Sequence, residues 1–238
     1  MKARLIGTEA VADGTAAFTF EVEGDPLVFK AGQTCDVTLV EPRYQDEKGT
    51  SRTFSIASSP SDLPRVTFAT RLTGSAFKRS LLEAPPGTAV ELDGPYGSFT
   101  LHQNGKKPAV FLAGGIGITP FRSIIKDAVE RCLPHSLALV YSNRTLASTA
   151  FLGDFEAWAK KAPAFKLIPT LTERRPSEAW AYDTGMIDVP FLTRHLTSFG
   201  ETIFYVAGPA PFVNAMMTLL PEAGADPDNI RAEEFAGY

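Results

Sequence analysis

Apolar and polar residues alternate over short stretches in the first part of the chain, up to about residue 101. Phe18, Phe20 and Val22 fall on one side of such a stretch, and the same period of two returns near residues 37–39 and 66–70. This period predicts strands that bury one face. Turns rich in Gly, Pro and Asp separate the stretches, which favours a small antiparallel β-barrel.

One segment of this first part has a helical period instead. Phe77, Leu81 and Leu82 fall on one face of a helix predicted over Ser75–Glu83, and Pro85-Pro86 would end it. Closely spaced strands with a single helix again favour a barrel.

After about residue 108 the chain alternates between strands and helices. Ala109–Ala113 is a continuous apolar run, typical of a strand buried on both faces, and a helix is predicted from about Pro120 to Arg131. The alternation predicts a parallel sheet with helices on both faces, a Rossmann-like domain. The remaining predicted elements are strands at Ser136–Tyr141, Phe165–Leu171, Ile203–Ala207 and Ile230–Glu234, and helices at Phe151–Lys161, Val189–Leu196 and Ala210–Leu220.

The length of 238 residues suits two domains of roughly 100–130 residues each. The polar, turn-prone segment His102–Pro108 separates the two patterns. We therefore predict an N-terminal antiparallel β-barrel domain over residues 1–103 and a C-terminal α/β domain over residues 104–238.

Charge and cysteine content exclude several classes of partner and cofactor. Lys and Arg number 23 against 27 Asp and Glu, so the positive excess that nucleic-acid binding requires is absent. Cys35 and Cys132 are too few for a four-cysteine iron–sulfur cluster or a Cys-rich zinc site. His102, His135 and His195 show no metal-ligand spacing, so we predict no metal site and expect the histidines at surface or capping positions.

The sequence shows no signal-peptide pattern and no membrane span. The most apolar stretch, Ala109–Ile118, is about half as long as a membrane-spanning helix and contains three glycines. We expect a cytoplasmic protein, and a monomer.

A glycine-rich segment joins the first apolar strand of the second part to its helix. Gly114, Gly115 and Gly117 would let the backbone approach a phosphate closely, and the helix N-terminus would supply N–H donors. Thr119 is placed to cap that helix. Pro120 replaces the third glycine of the usual dinucleotide fingerprint, so a tight turn without a ligand is the alternative. The flanking strand and helix favour dinucleotide binding.

The barrel part contains a second set of residues suited to an anion. Arg52-Thr53-Phe54-Ser55 opens a strand, a pattern that by itself is equally typical of an ordinary strand. Arg71 and the turn Gly74-Ser75-Ala76 follow, which combine a guanidinium with the free N–H groups of a helix start. Two anion sites on two domains predict two nucleotides, one on each domain.

Five motifs in a fixed order resemble those of the ferredoxin–NADP⁺ reductase superfamily, and they extend along essentially the whole chain. The resemblance implies an FAD-binding barrel at residues 1–103, an NAD(P)-binding domain at residues 104–238, and a stand-alone chain without an iron–sulfur domain. The motifs are Arg52-x-Phe54-Ser55, Gly94-Pro95-Tyr96-Gly97, Gly114-Gly115-Ile116-Gly117-Ile118-Thr119-Pro120, Ala207-Gly208-Pro209 and Ile230-x-x-Glu233-x-Phe235.

The resemblance implies how the barrel would hold FAD. Arg52 and Arg71 would bind its pyrophosphate, together with the backbone of Gly74, Ser75 and Ala76. Phe54, which takes the place of the family's usual Tyr, would stack on the isoalloxazine ring. Ser55 would hydrogen-bond near the flavin N5 atom and is one expected catalytic residue. Thr53 and Thr70 complete the expected flavin-binding set.

The same resemblance implies a nicotinamide site beside the flavin. Glu233 would lie near the nicotinamide as the second expected catalytic residue, and Phe235 near the flavin edge. Ala207 stands where many relatives carry a cysteine. Tyr238 would cover the flavin or the adenine; the alternative is a tail that only packs. The residues expected to bind the nicotinamide dinucleotide are Gly114, Gly115, Gly117, Thr119, Asn143, Arg144, Arg174, Gly208 and Pro209.

The choice between NADPH and NADH rests on the residues after the next two strands. Ser142-Asn143-Arg144 offers an arginine where NAD-specific sites often have an acid, and Arg174-Arg175 adds more positive charge. This pattern favours NADPH and leaves NADH as the alternative.

The expected function is therefore an FAD-dependent oxidoreductase. It would take hydride from NADPH or NADH and pass single electrons to a small redox protein, a ferredoxin or flavodoxin. Lys78, Arg79, Lys106 and Lys107 are candidate docking cations for an acidic carrier. Three alternatives remain: an NADH-dependent reductase component of an oxygenase system, a dehydrogenase that acts directly on an organic substrate, and a flavin-binding regulatory module without turnover.

Overall fold

Two six-stranded sheets make up the structure, one on either side of the predicted domain boundary. The computed structural model describes residues 1–25, 27–175, 177 and 179–235. The predicted fold class, an antiparallel barrel followed by a parallel α/β sheet, is confirmed. The boundary between residues 103 and 104 falls in the segment that joins the sheets and stays a prediction.

The first sheet is antiparallel with strand order β4-β3-β6-β1-β2-β5. Just past β4, the Ala57 N–H donates to the Thr67 carbonyl oxygen on β5 at 2.8 Å, which brings the two outer strands together as a barrel. Inward-facing residues such as Phe18, Phe20 and Val66 fill its core. The strands are β1 (Lys2–Ala12), β2 (Thr15–Glu23), β3 (Thr34–Leu39), β4 (Ser51–Ser55), β5 (Arg65–Arg71) and β6 (Ala89–Tyr96).

The predicted helix of the barrel is α1, Ala76–Leu82. The Ser75 hydroxyl caps it by accepting a hydrogen bond from the Lys78 N–H at 3.3 Å. Phe77 and Leu81 are buried as the pattern predicts. Leu82 is 45% exposed, because a helix this short turns only a narrow stripe towards the barrel.

The second sheet is parallel with strand order β10-β9-β8-β7-β11-β12. All six residues of β7 are buried, as expected for a strand covered on both faces. The two-residue strand β10 has no signal in the sequence pattern. The elements are β7 (Ala109–Gly114), α2 (Ile118–Glu130), β8 (Leu137–Asn143), α3 (Leu152–Lys161), β9 (Phe165–Leu171), β10 (Asp183–Thr184), α4 (Val189–His195), β11 (Ile203–Gly208), α5 (Ala210–Glu222) and β12 (Ile230–Glu234).

The histidines do not all lie at the surface, so that expectation is wrong for His135 and incomplete for His102. His135 is buried, and its Nε2 lies 2.9 Å from the His102 carbonyl oxygen. The His102 ring stacks on Tyr205, and its Nε2 lies 3.0 Å from the Lys107 carbonyl oxygen. Both rings satisfy polar backbone atoms at the junction of the sheets. Among the described residues no group of three or more His, Cys, Asp or Glu side chains could hold a metal ion.

Helix α2 joins the second sheet to the barrel. The Ser123 hydroxyl donates to the Ser58 carbonyl oxygen at 2.6 Å, and an Arg122 guanidinium N–H donates to the Ala57 carbonyl oxygen at 2.8 Å. The Lys126 ammonium pairs with Asp62 one helical turn further on. This one helix therefore fixes the carboxyl edge of the parallel sheet against the barrel. None of the helices formed by the described residues is long and apolar enough to cross a membrane.

We expect Ser123→Ala to destabilise the protein by about 1–2 kcal/mol, because it leaves the buried Ser58 carbonyl group without its donor. Chemical denaturation measures the change. Ser136→Ala, at an exposed position, is the matched control and should change stability by less than about 0.5 kcal/mol. Equal effects of the two substitutions would contradict the role given to Ser123.

Candidate active site

Two grooves open where the carboxyl edge of the parallel sheet faces the barrel. The first has a volume of about 430 Å³ and takes one wall from the barrel and the other from the second sheet. Its lining residues are Thr34, Lys48, Arg52, Thr53, Phe54, Ser55, Ala69, Thr70, Thr73, Ser75, Lys78, Ile116, Thr119, Glu233, Glu234 and Phe235.

Positive charge gathers at one part of the first groove. Burial lowers the pKa of Lys78, and the nearby positive charges of Arg52 and Arg71 lower it further. The Lys78 ammonium donates to the Thr73 hydroxyl at 3.2 Å. Arg52 Nη2 is buried and makes no hydrogen bond among the described residues. Cations that repel one another and an unsatisfied guanidinium N–H are what an anionic ligand would satisfy.

A loop already holds part of this predicted anion site. One carboxylate oxygen of Asp46 accepts from the Ala76 N–H at 3.2 Å, and the other lies 3.5 Å from Arg52 Nη2. Arg52 Nη1 donates to the carbonyl oxygens of Lys48 at 2.8 Å and Ser51 at 2.6 Å. The structure therefore brings Arg52 and the start of α1 together as predicted, with Asp46 as their present partner.

The motif residues of β4 line the middle of the first groove. Phe54 is half-buried, and its ring packs against Phe68 and Phe77 at centroid distances of 6.1 Å and 5.8 Å. Ser55 is buried beside it. The Thr53 hydroxyl is bonded to the Asp36 carboxylate, so Thr53 contributes to the groove with its hydroxyl already in use.

Residues of the second sheet form the opposite wall of the first groove. Thr119 lies here rather than beside the dinucleotide site, and it does not cap α2. It stands inside the first turn of the helix, and its hydroxyl donates to the Ile116 carbonyl oxygen at 3.2 Å. The helix begins two residues earlier than predicted, because residues 115–117 form a short 3₁₀ turn that leads into it.

Glu233 is less exposed to solvent than Glu234, the other ionisable residue of this wall. One of its carboxylate oxygens is buried without a hydrogen-bond partner among the described residues. Burial raises the pKa of Glu233 from its ordinary 4.5 to about 7. The side chain can therefore hold a proton near neutral pH. Phe235, two residues on, also lines the groove, and its N–H donates to the Gly208 carbonyl oxygen at 3.0 Å.

The second groove has a volume of about 550 Å³ and lies along the carboxyl ends of β7, β8 and β9. Its lining residues are Asp13, Thr15, Arg71, Gly114, Gly115, Ile116, Ser142, Asn143, Arg144, Ser148, Ala150, Thr172, Glu173, Met186, Ile187, Pro209, Pro211, Phe212, Ala215 and Met216. Arg71, expected at the flavin pyrophosphate, lines this second groove. It is nevertheless close enough to the first groove for its charge to lower the pKa of Lys78.

The three glycines of the turn have different tasks. Gly115 has a φ of +54°, and a Cβ there would meet nothing within 4 Å, so its backbone is open to a ligand. A Cβ on Gly114 would lie 2.6 Å from the ring of Phe212. A Cβ on Gly117 would lie 2.2 Å from the Ala207 carbonyl oxygen. Gly117 lines neither groove, and the structure gives it a packing role against β11 instead of the expected ligand contact.

The far part of the second groove contains Asn143 and Arg144, as expected. Asn143 is buried, and its side-chain amide lies beside the Tyr141 hydroxyl. Arg174 is exposed and is not among the lining residues, whereas Glu173 is. Pro209 is a lining residue, and the preceding residue Gly208 is not.

The two grooves meet at Ile116, which lines both of them. Groups bound in the two grooves would therefore both lie beside Ile116. This is the property that electron transfer between two bound cofactors requires.

The comparisons with known proteins agree with this geometry. Residues 111–218 match the family model described as the oxidoreductase NAD-binding domain. The chain is 29% identical over 199 residues to ferredoxin–NADP reductase B of Sorangium cellulosum, which covers 82% of this chain and 79% of that protein. It is 30% identical over 212 residues to the reductase component of phenol 2-monooxygenase from a Pseudomonas species, which covers 88% of this chain and 58% of that protein.

A solved structure of a ferredoxin NADP⁺ reductase from Neisseria gonorrhoeae with bound FAD and NADP covers 98% of both chains at a TM-score of 0.80 and 18% identity. The family model, the curated relatives and this shared fold support the ferredoxin–NADP⁺ reductase superfamily. The chain spans 58% to 61% of the length of four curated relatives that are named as proteins or reductase components of oxygenase systems.

Within this superfamily fold, several lining residues have no distinct signal in the sequence. Ile116 lies between two glycines of a motif whose glycines, and not its isoleucine, predict ligand binding. Lys78 reads as a surface helix residue, and Glu173 stands one position before the arginines that attracted attention. A search for polar residues just past each predicted parallel strand would have found Glu173.

The candidate docking cations are not gathered at the grooves. Lys78 lines the first groove, and the Arg79 guanidinium lies over the Tyr44 ring at 4.1 Å. Lys106 and Lys107 precede β7, whereas the grooves follow it, so they lie about 20 Å from the grooves along the strand. The four do not form one docking surface. Tyr238, expected to cover a bound cofactor, lies outside the described residues.

We expect Glu233→Gln to change the pH dependence of stability. In the unfolded chain the carboxyl group loses its proton near pH 4.5, but in the folded protein only near pH 7. The wild type therefore loses stability as the pH rises through this window, and the amide does not.

Thermal unfolding at several pH values measures the effect. The Tm of Glu233→Gln relative to wild type should rise between pH 4.5 and pH 8. Glu234→Gln, its exposed neighbour, is the control, and its Tm difference should stay flat over the same range. A flat difference for Glu233→Gln as well would show that its carboxyl group titrates normally.

Proposed function

We propose that the protein is an FAD-dependent oxidoreductase that takes electrons from NADH or NADPH and passes them to a separate redox protein. One observation carries the proposal: the two grooves, one walled by the barrel and one at the edge of the parallel sheet, meet at Ile116. Two cofactors that exchange electrons must touch, and this meeting point allows it.

The first groove suits FAD. Arg52 Nη2 is buried and has the Asp46 carboxylate 3.5 Å away without a hydrogen bond, and Lys78 is held near two other cations, so a pyrophosphate that takes the place of Asp46 would relieve both. Arg52, Ser75 and Lys78 would hold the pyrophosphate. Phe54 and Phe235 would lie against the ring system, and Ser55 would donate a hydrogen bond to it. Arg71 is assigned to the second groove by its place in the lining.

The second groove suits a nicotinamide dinucleotide. The open backbone of Gly115 would meet its phosphates, and Pro209 would border the nicotinamide. The buried side-chain amide of Asn143 would donate to the adenosine half. This assignment leaves Gly114 and Gly117 as glycines that close packing requires.

The chain's own residues position the reaction and keep water away. FAD, when bound, accepts two electrons from a reduced nicotinamide and passes them on one at a time. Ile116 and Phe235 exclude water where the grooves meet. Glu233, with its pKa raised to about 7, is protonated in a large fraction of molecules near neutral pH, which reduces the negative charge beside the electron-rich reduced cofactors.

The electron acceptor is a redox protein, by analogy with relatives named as ferredoxin reductases and as reductase components of oxygenase systems. A ferredoxin or flavodoxin is the first candidate. An oxygenase component is the second, and it is favoured by the names of relatives that match 88% to 90% of this chain. A cytoplasmic location and a monomeric state remain predictions.

A flavin assay tests the proposal. We expect the purified protein to bind FAD more tightly than FMN, to release FAD on denaturation, and to lose its flavin absorbance on anaerobic addition of NADH or NADPH. A protein that binds no flavin, or a bound flavin that neither coenzyme bleaches, would contradict the proposed function.

Arg52→Ala should weaken FAD binding by roughly 10- to 100-fold, the loss of a charge-assisted contact worth about 1.5–3 kcal/mol. Quenching of flavin fluorescence on titration measures this. Arg52→Lys, which keeps the charge, should lose less, and Arg65→Ala, at an exposed position of β5, should lose nothing. Unchanged affinity in Arg52→Ala would remove the guanidinium from the flavin site.

A further inference from the structure

The carboxyl ends of β8 and β9 bring an acid and an arginine together in the second groove. The strands pair in parallel as far as Asn143 and Leu171. Past them, the Thr172 N–H donates to the Asn143 carbonyl oxygen at 2.9 Å, and the Glu173 N–H donates to the Arg144 carbonyl oxygen at 2.8 Å. These two backbone hydrogen bonds fix Glu173 beside Arg144.

The side chains of this pair leave the carboxylate able to bind a ligand. Arg144 Nε lies 3.8 Å from a Glu173 carboxylate oxygen, and the two side chains are 80% and 64% exposed. An ion pair this long and this exposed contributes little to stability. The carboxylate therefore places a negative charge beside that of Arg144 and still has lone pairs for a hydroxyl donor.

The other charged residues of the groove do not alter this balance. Among the described lining residues, Arg71 and Arg144 provide positive charge, and Asp13 and Glu173 provide negative charge. Arg174 and Arg175, the other arginines expected to favour NADPH, are exposed and are not among these lining residues. The described lining residues therefore offer a second phosphate group no excess of positive charge.

We propose that Glu173 selects NADH over NADPH by accepting a hydrogen bond from the ribose 2′-hydroxyl and repelling a 2′-phosphate. This inference rests on the proposed function, because it places the adenosine half of the coenzyme at the ends of β8 and β9. It reverses the preference for NADPH that the sequence suggested from Arg144 and Arg174-Arg175. In many dinucleotide-binding folds an acid at this edge of the sheet binds the ribose 2′-hydroxyl, and Glu173, which follows the neighbouring strand β9, would take that role here.

Two nucleotides that differ only at the 2′ position test the inference. Adenosine 5′-monophosphate carries the 2′-hydroxyl, and adenosine 2′,5′-bisphosphate carries the phosphate. Calorimetric titration of the full chain with FAD bound should give at least about tenfold tighter binding of the monophosphate. Glu173→Gln should shift this ratio by about tenfold towards the bisphosphate, because it removes the repulsion and frees the charge of Arg144.

Two further variants make the assignment specific. Arg144→Ala added to Glu173→Gln should cancel the gain in bisphosphate affinity. Glu201→Gln removes an exposed acid that precedes β11, at the opposite edge of the sheet, and should leave the ratio unchanged.

The outcomes separate this inference from the proposed function. Tighter binding of the bisphosphate to the wild type, or an unchanged ratio in Glu173→Gln, would overturn the role of Glu173 and leave the dinucleotide site intact. Binding of neither nucleotide, with FAD still held, would overturn the dinucleotide site itself and with it both statements.

Discussion

The junction between α2 and the barrel is the contact on which the site depends. The Ser123 hydroxyl and the Arg122 guanidinium bind two consecutive carbonyl groups, those of Ser58 and Ala57, just past β4, the strand that lines the first groove. The same helix begins at the glycine turn that carries Ile116. A shift of α2 on the barrel would therefore move the wall of one groove relative to the other, and the two would no longer meet.

Close approaches of backbone reinforce this junction and leave little freedom to the sequence. Gly32 has a φ of +97°, and a Cβ there would lie 2.2 Å from the Phe99 carbonyl oxygen and 2.8 Å from Ile124 Cδ1 on α2. Gly117 lets β11 and the turn before α2 come into contact. Packing at these two glycines fixes the meeting point of the grooves, and no substitution by a larger residue fits without displacing backbone.

The strands and helices could be predicted because they depend on local sequence pattern. Side-chain environments that depend on contacts between distant residues could not. The alternation at Phe18 and Phe20 and the apolar run of β7 predicted both sheets, because burial sets those periods directly. Glu233 could be placed only by resemblance, and its raised pKa follows from packing that no pattern displays. Glu173 was passed over because its partner Arg144 belongs to another strand. The sequence predicts a surface or capping position for His135, because a lone histidine carries no sign of the carbonyl group that it satisfies.

The two grooves differ in charge in a way that matches two kinds of ligand. In the first, Arg52 and Lys78 repel each other and a buried guanidinium nitrogen has only the Asp46 carboxylate at 3.5 Å near it among the described residues, so a bound pyrophosphate would be held by contacts that water replaces poorly. In the second, arginines and acids are equal in number and the Arg144–Glu173 pair is largely exposed, so charge adds little to affinity. A cofactor that stays through many turnovers needs the first arrangement. A coenzyme that must leave after each turnover is better served by the second, where selectivity comes from a single carboxylate and release is not opposed by buried charge.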